Sequence, residues 1–130
     1  MTLFSAIGIA GTGVTVHRKW LDAVSDNIAN INNASRTNAE AFRARYVIAQ
    51  EALDGNGAQV GGIVLGPQGR IVYEPDHPLA DAQGYVQYPN IDLAGQMTQL
   101  IMAQRGYQAN LAVVDRARDA YLAAIQLGRS

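Results

Sequence analysis

Apolar residues recur along the first part of the chain at alternating steps of four and three. The series runs from Leu3 to Ile31, and all but one of its nine members are apolar. Such steps place every member on one helix face, as in a coiled-coil seam. We predict a helix over 1–33, capped by the Thr2 hydroxyl and ended by the asparagine-rich run 30–33, since Asn tolerates the left-handed conformation. The series is Leu3, Ile7, Ala10, Val14, His17, Leu21, Val24, Ile28 and Ile31.

The C-terminal part repeats this spacing and predicts a second long helix over 91–130. Asn90 follows a proline and suits the N-cap, and Asp92 falls in the first turn, where the helix dipole favours negative charge. Gly128 stands where a C-terminal glycine stop is expected. The series is Leu93, Met97, Leu100, Gln104, Tyr107, Leu111, Val114, Arg118, Tyr121 and Ile125.

Between the two helices the pattern changes to short β-prone runs separated by turn residues. Asp54 to Gly57 suits a tight reversal and predicts a β-hairpin. The remaining runs predict further strands, and together they suggest a small antiparallel sheet. Residues 33–41 are polar and without a period, so we expect a loop that stays mobile or orders only in an assembly. The strand candidates are 42–48, 60–65, 70–73 and 85–88.

These patterns predict an α+β chain in three parts. They are an N-terminal helix over 1–33, a small β-rich middle region with a mobile loop over 34–90, and a C-terminal helix over 91–130. A helix of about 30 residues is roughly 45 Å long, which exceeds the dimensions of a compact domain of this size. We therefore expect an elongated molecule.

Composition excludes several classes of function. The formal net charge is −1 and 16% of residues are charged, so there is no basic footprint for nucleic acid. Cysteine is absent, which excludes disulfides and cysteine-based zinc sites. The apolar start lacks a basic n-region, and its basic cluster 17–19 comes after the apolar stretch, so we expect no cleaved signal peptide. The chain contains no run of about 18 apolar residues, so we expect no membrane-spanning helix.

Candidate catalytic chemistry is limited to the neighbours Asp76 and His77. Such a pair could act in acid–base chemistry or bind a metal. The alternative is a turn residue bonded to nearby backbone, because prolines flank the pair and adjacent side chains usually point apart. We favour the turn and expect no catalytic, cofactor-binding or metal residues, with a small enzyme using Asp76 and His77 as the alternative from another class.

Two other features allow functional and structural interpretations. The glycine-rich segment 8–13 lacks the strand and the Gly-Lys-Ser/Thr of a phosphate-binding loop, and more simply permits close approach of neighbouring helices. Tyr107 and Tyr121 are expected to pack rather than to line a ligand site. The polar residues in or beside the seams either fix register or reach past the core to water; they are His17, Arg18, Gln104 and Arg118.

The end of the first helix carries a recognisable motif. Residues 25–33, SDNIANINN, resemble the Ser-x-Asn-Ile-Ala-Asn-x-Asn signature of flagellar rod and hook proteins. Residues 105–110, RGYQAN, look like the matching C-terminal element, although Gly106 departs from it, as does the segment 33–35. Residues 72–90 are similar to a stretch associated with the FlgC family of rod proteins. The motif positions are Ser25, Asn27, Ile28, Ala29, Asn30, Asn32, Arg105, Tyr107, Ala109 and Asn110.

This resemblance implies a structural subunit of the flagellar basal body, in the proximal rod that transmits torque across the periplasm. It implies synthesis in the cytoplasm, export by the flagellar type III apparatus without a cleaved signal, and terminal helices paired as an antiparallel coiled coil. The implied partners are other copies of the chain and the FlgB, FlgF and FliE-type rod proteins, with the membrane-embedded ring as a further candidate. A distal rod or hook-type component is the nearest alternative.

The apolar seams are then the expected assembly interface. Long amphipathic helices without partners cannot offset their ordering entropy, so we also expect the ends of an isolated monomer to be partly disordered. The interface residues are Leu3, Ile7, Val14, Leu21, Val24, Ile28, Ile31, Leu93, Met97, Leu100, Tyr107, Leu111, Val114, Tyr121 and Ile125.

Overall fold

The structure is a computed structural model that describes residues 2–129. Two long helices flank four short strands, which confirms the α+β class expected from the sequence. The elements are α1 (Leu3–Ala29), β1 (Arg45–Glu51), β2 (Ala58–Leu65), β3 (Arg70–Tyr73), β4 (Tyr85–Tyr88) and α2 (Leu93–Gly128).

Helix α1 starts as predicted but ends for a different reason. The Thr2 hydroxyl accepts a hydrogen bond from the Ser5 N–H at 3.1 Å. At the other end Asn30 is the C-cap with φ −101, and its side-chain amide donates to the Asp26 carbonyl at 2.8 Å. The predicted left-handed asparagine is therefore wrong: among residues 2–129 only glycines have positive φ. The helix ends because the Asn30 amide satisfies a carbonyl of its last turn.

The caps of α2 also differ from the prediction. Asp92, rather than Asn90, is the N-cap, and its carboxylate accepts from the Ala94 and Gly95 N–H groups at 3.2 and 3.1 Å. A carboxylate satisfies two free donors and also interacts favourably with the helix dipole. Gly128 is the last helical residue rather than a left-handed stop, because Arg129 closes the end with a bond to the Gln126 carbonyl at 3.2 Å.

The four strands form two separate antiparallel pairs rather than the single small sheet suggested by the sequence. β1 and β2 form the predicted hairpin, with Arg45 opposite Leu65 and a bulge after Ile48. β3 pairs with β4 from Arg70 opposite Tyr88 to Tyr73 opposite Tyr85. In both pairs the strands are neighbours in sequence. The alternating pattern predicts the individual strands, but it does not specify which strands share a sheet.

The β1–β2 hairpin lies on α1. The Thr12 hydroxyl donates to the Ile9 carbonyl at 2.6 Å and accepts from the Ala58 N–H at 3.1 Å. Gly57, with φ +108, packs directly against the Thr12 side chain. A side chain at this position would be both strained and obstructed, so glycine allows the hairpin to approach the helix.

The segment 33–41, which shows no periodicity in the sequence, is tied to β4 and its preceding turn. Ser35 and Gln87 exchange backbone hydrogen bonds at 2.8 and 3.0 Å. The Thr37 hydroxyl donates to the Asp81 carboxylate at 3.0 Å. Through these contacts the segment connects the second strand pair to the end of α1.

The helices pack antiparallel over a core of small side chains. The rings of Phe4 and Tyr121 touch at one end, with centroids 5.3 Å apart, and Asn27 meets Gln96 at the other. The accessible surface is 8567 Å², against about 6,700 Å² expected for a compact monomer of this size. The molecule is thus open, with apolar surface uncovered. No helix in the described part of the chain is long and apolar enough to cross a membrane. The buried helical residues are Ala10, Val16, Ala23, Val24, Asn27, Gln96, Ala103 and Ala117.

Candidate assembly interface

The two helices approach most closely where each presents a glycine to a polar side chain of the other. A Cβ atom added to Gly13 would lie 2.5 Å from the Asn110 side chain, and one added to Gly106 would collide with the imidazole of His17. Each polar side chain is also held by its own helix. His17 Nδ1 donates to the Gly13 carbonyl and the Asn110 amide to the Gly106 carbonyl, both at 2.8 Å. The contact is reciprocal, and it explains the glycine that departs from the usual C-terminal motif.

Asn27 joins three elements. Its carboxamide oxygen accepts from the Arg45 N–H at 2.8 Å, and its NH₂ group donates to the Arg45 carbonyl at 3.0 Å and to Gln96 Oε1 at 2.9 Å. Asn27 is fully buried. A buried amide with all these bonds made is stabilising, whereas the loss of one partner leaves polar atoms unsatisfied. Asn27 therefore fixes how α1, the start of β1 and the start of α2 meet.

Some of the motif residues make contacts within the chain, and others are exposed. Asn27, Asn30 and Asn110 make the internal contacts described above. Ile28 and Tyr107 are half-buried, and the remaining members are exposed: Ser25, Ala29, Asn32, Arg105 and Ala109.

The seam predicted for α1 lies mostly against the rest of the chain. Val24 is buried. The other predicted interface residues of this part are half-buried, so each keeps some exposed surface: Leu3, Ile7, Val14, Leu21, Ile28 and Ile31.

The face of α2 that packs on α1 is offset by one residue from the apolar series. Gln96, Ala103 and Ala117 are buried, each preceding a member of the predicted series that is exposed. Small and polar residues face α1 because the helices are too close for large ones. Leu100, Tyr107 and Val114 are half-buried at the margin of this contact. The predicted residues that remain exposed are Leu93, Met97, Leu111, Tyr121 and Ile125.

The exposed apolar surface of α2 is wider than the series indicated. Ile101, Met102, Val113 and Leu122 are also exposed, at 47 to 54%. The predicted series follows a single line of positions along the helix, so it does not include these four residues. The signal that would have found them is the seven-residue recurrence of Gln96, Ala103, Asn110 and Ala117, which marks the true contact line. We call the exposed residues Leu93, Met97, Ile101, Met102, Leu111 and Val113 the outer face of α2.

Comparison with known proteins identifies the molecule. The family model for the C-terminal region of the flagellar basal body rod FlgEFG proteins matches residues 82–127. The flagellar basal-body rod protein FlgC of Escherichia coli O6:H1 is 35% identical over 135 residues, covering 99% of this chain and all of that protein. The chain belongs to the FlgC family. Relatives with the same name from Borreliella burgdorferi and Bacillus subtilis are 30% and 29% identical, each covering at least 98% of both chains.

As a FlgC-family protein, the chain is a structural component of the flagellar basal-body rod, as the motifs implied. The family-model match spans β4 and α2, so it includes both the Asn110 contact and the outer face. The FlgC assignment also makes the alternatives, another axial component or a small enzyme, the less favoured interpretations.

The Asp76 and His77 pair forms a turn in this FlgC-family chain. His77 Nδ1 accepts from the Leu79 N–H at 3.1 Å, and the His77 N–H donates to the Glu74 carbonyl at 3.0 Å. No group of three acidic, histidine or cysteine residues within 2–129 is arranged to hold a metal ion.

Two hydrogen-bonded groups stabilise the second strand pair. The Asp81 carboxylate accepts from the Tyr85 N–H at 2.9 Å, from Thr37 and from the Gln83 N–H, and these bonds lower the pKa of Asp81 below its usual 3.8. The Tyr88 hydroxyl donates to Glu74 at 2.8 Å, which raises the pKa of Tyr88 above 10.0. Both sets of bonds link the connection between β3 and β4 to β4 itself.

Proposed function

We propose that this FlgC-family chain is a subunit of the proximal rod, where its copies and other rod proteins form the shaft that transmits torque across the periplasm. The observation that carries the proposal is the outer face of α2. Its six large apolar side chains are 36 to 54% exposed on a single helix. Large apolar side chains exposed in this number on one helix favour a protein–protein interface.

The excess accessible surface supports the same conclusion. A chain that exposes more area than a compact monomer of its size gains stability when neighbours cover that area. We propose that the sequence-predicted seam residues and the outer face together form this interface. The neighbours proposed are further copies, FlgB, FlgF and FliE-type rod proteins, and the membrane-embedded ring.

The role is mechanical rather than catalytic. Repeated heterologous contacts between identical elongated subunits generate a helical array, and closely packed helices transmit force along their length. Because α1 and α2 approach closely at Gly13 and Gly106, the two helices form one closely packed unit. The turn geometry of His77 favours a structural role for the only candidate catalytic pair, so we propose that the chain is not an enzyme.

The division into an N-terminal axial helix (1–33), a β-rich middle (34–90) and a C-terminal axial helix (91–130) belongs to the same proposal. So do synthesis in the cytoplasm and export through the flagellar type III apparatus without signal cleavage. The helices would form the inner layer of the rod.

Imaging of basal bodies tests the proposal. A strain lacking the gene is expected to make no complete rod, and the restored gene is expected to bring back rods that contain the protein. Complete rods in the deletion strain, or restored rods without the protein, would contradict the proposed function.

A further inference from the structure

An apolar groove of about 330 Å³ lies beside α1. Val16, Trp20 and Val24 form one wall, at i, i+4 spacing along the helix, and Val47 and Ala49 of β1 form the other. Residues spaced by four form a ridge along α1, and β1 lies beside this ridge. This shape receives a helix by ridge-into-groove packing.

The indole N–H and the one charged group that line the groove are paired, and the remaining ring, Tyr46, is uncharged. Trp20 Nε1 donates to Gln99 Oε1 at 2.9 Å, which fixes the indole between the two helices. Arg45 at the rim forms an ion pair with Asp26 at 3.7 Å. The groove therefore offers carbon surface with no unmatched charge, and its occupant is expected to be apolar and uncharged.

The C-terminal end of α2 has that character. Phe4 meets Tyr121, and α1 begins at Leu3, so residues 122–128 extend past α1 by about 10 Å at 1.5 Å per residue. Asp119 is the last charged residue before Arg129. Leu122 and Ile125 are 49 and 41% exposed, three apart and so on one face.

This end continues an existing interface. The line of α2 residues that packs on α1 passes through Ala103 and Ala117, and its next position, the exposed Ala124 beside Ile125, lies beyond the start of α1. The extension thus presents the continuation of a helix-packing face to solvent. A helix or groove of another molecule is needed to cover it.

We propose that residues 122–128 of one copy dock in the Trp20 groove of a neighbouring copy. Docking within one chain is excluded, since about 17 residues of α1, or roughly 25 Å, separate the extension from Trp20. The contact joins two different surfaces, so it propagates an array rather than closing a dimer. This inference rests on the proposed rod function and specifies one of its contacts.

Cysteine cross-linking tests the contact, because the natural chain has no cysteine. Ala49→Cys and Ile125→Cys are introduced in separate copies, expressed together in the deletion strain, and oxidised in isolated basal bodies. A disulfide forms only when the two Cα atoms come within about 7 Å. We expect a 49–125 linked dimer several-fold more abundant than with the matched controls, which are Leu53→Cys at the hairpin tip and Ala123→Cys on another side of the extension.

Each other outcome overturns the inference. A 49–125 yield equal to the controls, a 125–125 dimer alone, or a link from residue 125 to a different rod protein would each assign the extension another partner. If the cysteine variants do not enter basal bodies, the same pair is oxidised in concentrated purified protein, with the same expected and contradicting yields. The wild-type deletion and restoration experiment is unaffected by these results, so the rod function and this contact can fail separately.

Discussion

The imidazole of His17 occupies the space that a side chain on Gly106 would need. Its Nδ1 is held by the Gly13 carbonyl of its own helix, and Gly13 in turn lies under Asn110. Two glycines, each opposite a fixed polar side chain, set the distance between α1 and α2. The large apolar residues of α2 cannot enter so narrow a contact and remain exposed.

Gly106→Ala is expected to destabilise the fold. Alanine gains about 1 kcal/mol in helix propensity, but displacing His17 from a packed contact costs about 1 to 3 kcal/mol. Urea unfolding followed by circular dichroism measures the balance. Gly8→Ala is the matched control, because its Cβ meets nothing within 4 Å, and it is expected to be stabilising. Equal stabilisation by both variants would contradict the close contact.

Asn27→Ala is expected to lower the free energy of unfolding by about 2 to 4 kcal/mol, because the buried Gln96 side chain and the Arg45 backbone N–H and C=O lose their bonds to Asn27. Asn32→Ala, at an exposed position of the same run, is expected to change it by less than about 0.5 kcal/mol. Chemical denaturation of both variants provides the comparison. Similar small effects would show that the Asn27 bonds contribute little.

Leu111→Asp is expected to leave the isolated fold intact and to abolish swimming, because a charge on the outer face is buried without a partner on assembly. Ile28→Asp is expected to have the same effect on motility. Gln108→Asp adds the same charge at an exposed polar position and is the control. Soft-agar motility, with helix content by circular dichroism, distinguishes assembly from folding; normal swimming of both seam variants would count against the interface.

The free energy of unfolding at acid pH is expected to depend on Asp81. Its pKa is lowered in the folded state, chiefly by the Tyr85 N–H, so its stabilisation is complete above the ordinary value of 3.8 and is lost as the pH falls through the folded pKa. The difference in stability between the wild type and Asp81→Asn should therefore shrink on going from about pH 6 to about pH 2.5. Urea unfolding across this range measures it, and a constant difference would contradict the assigned bonds.

Local chemistry made several elements predictable. Thr2 begins α1 as expected, and the glycines at 55 and 57 reverse the hairpin with the positive φ values that the turn requires. These features depend on neighbours in sequence. The separation of the strands into two pairs and the choice of Asp92 as N-cap depend on contacts and geometry that alternation does not encode.

The helix contact shows the same limit at the candidate site. Large apolar residues indicated that α2 is amphipathic, but the buried line consists of Gln96, Ala103 and Ala117. Which residues face α1 was decided by Gly13 and Gly106 on opposite helices. The hydrogen bonds of Asn27 to β1 and α2 could not be predicted from the sequence either, because they join residues far apart in the chain. The motif that contains Asn27 nevertheless pointed to the family.

In the proposed rod, neighbouring subunits cover the outer face of α2. Met97 and Met102 lie on this face, 45 and 54% exposed, and exposed methionines oxidise readily. Peroxide treatment followed by mass spectrometry should oxidise both in the purified chain and leave both protected, at least several-fold, in intact basal bodies. Equal oxidation in the two samples would show that neighbouring subunits do not cover this face.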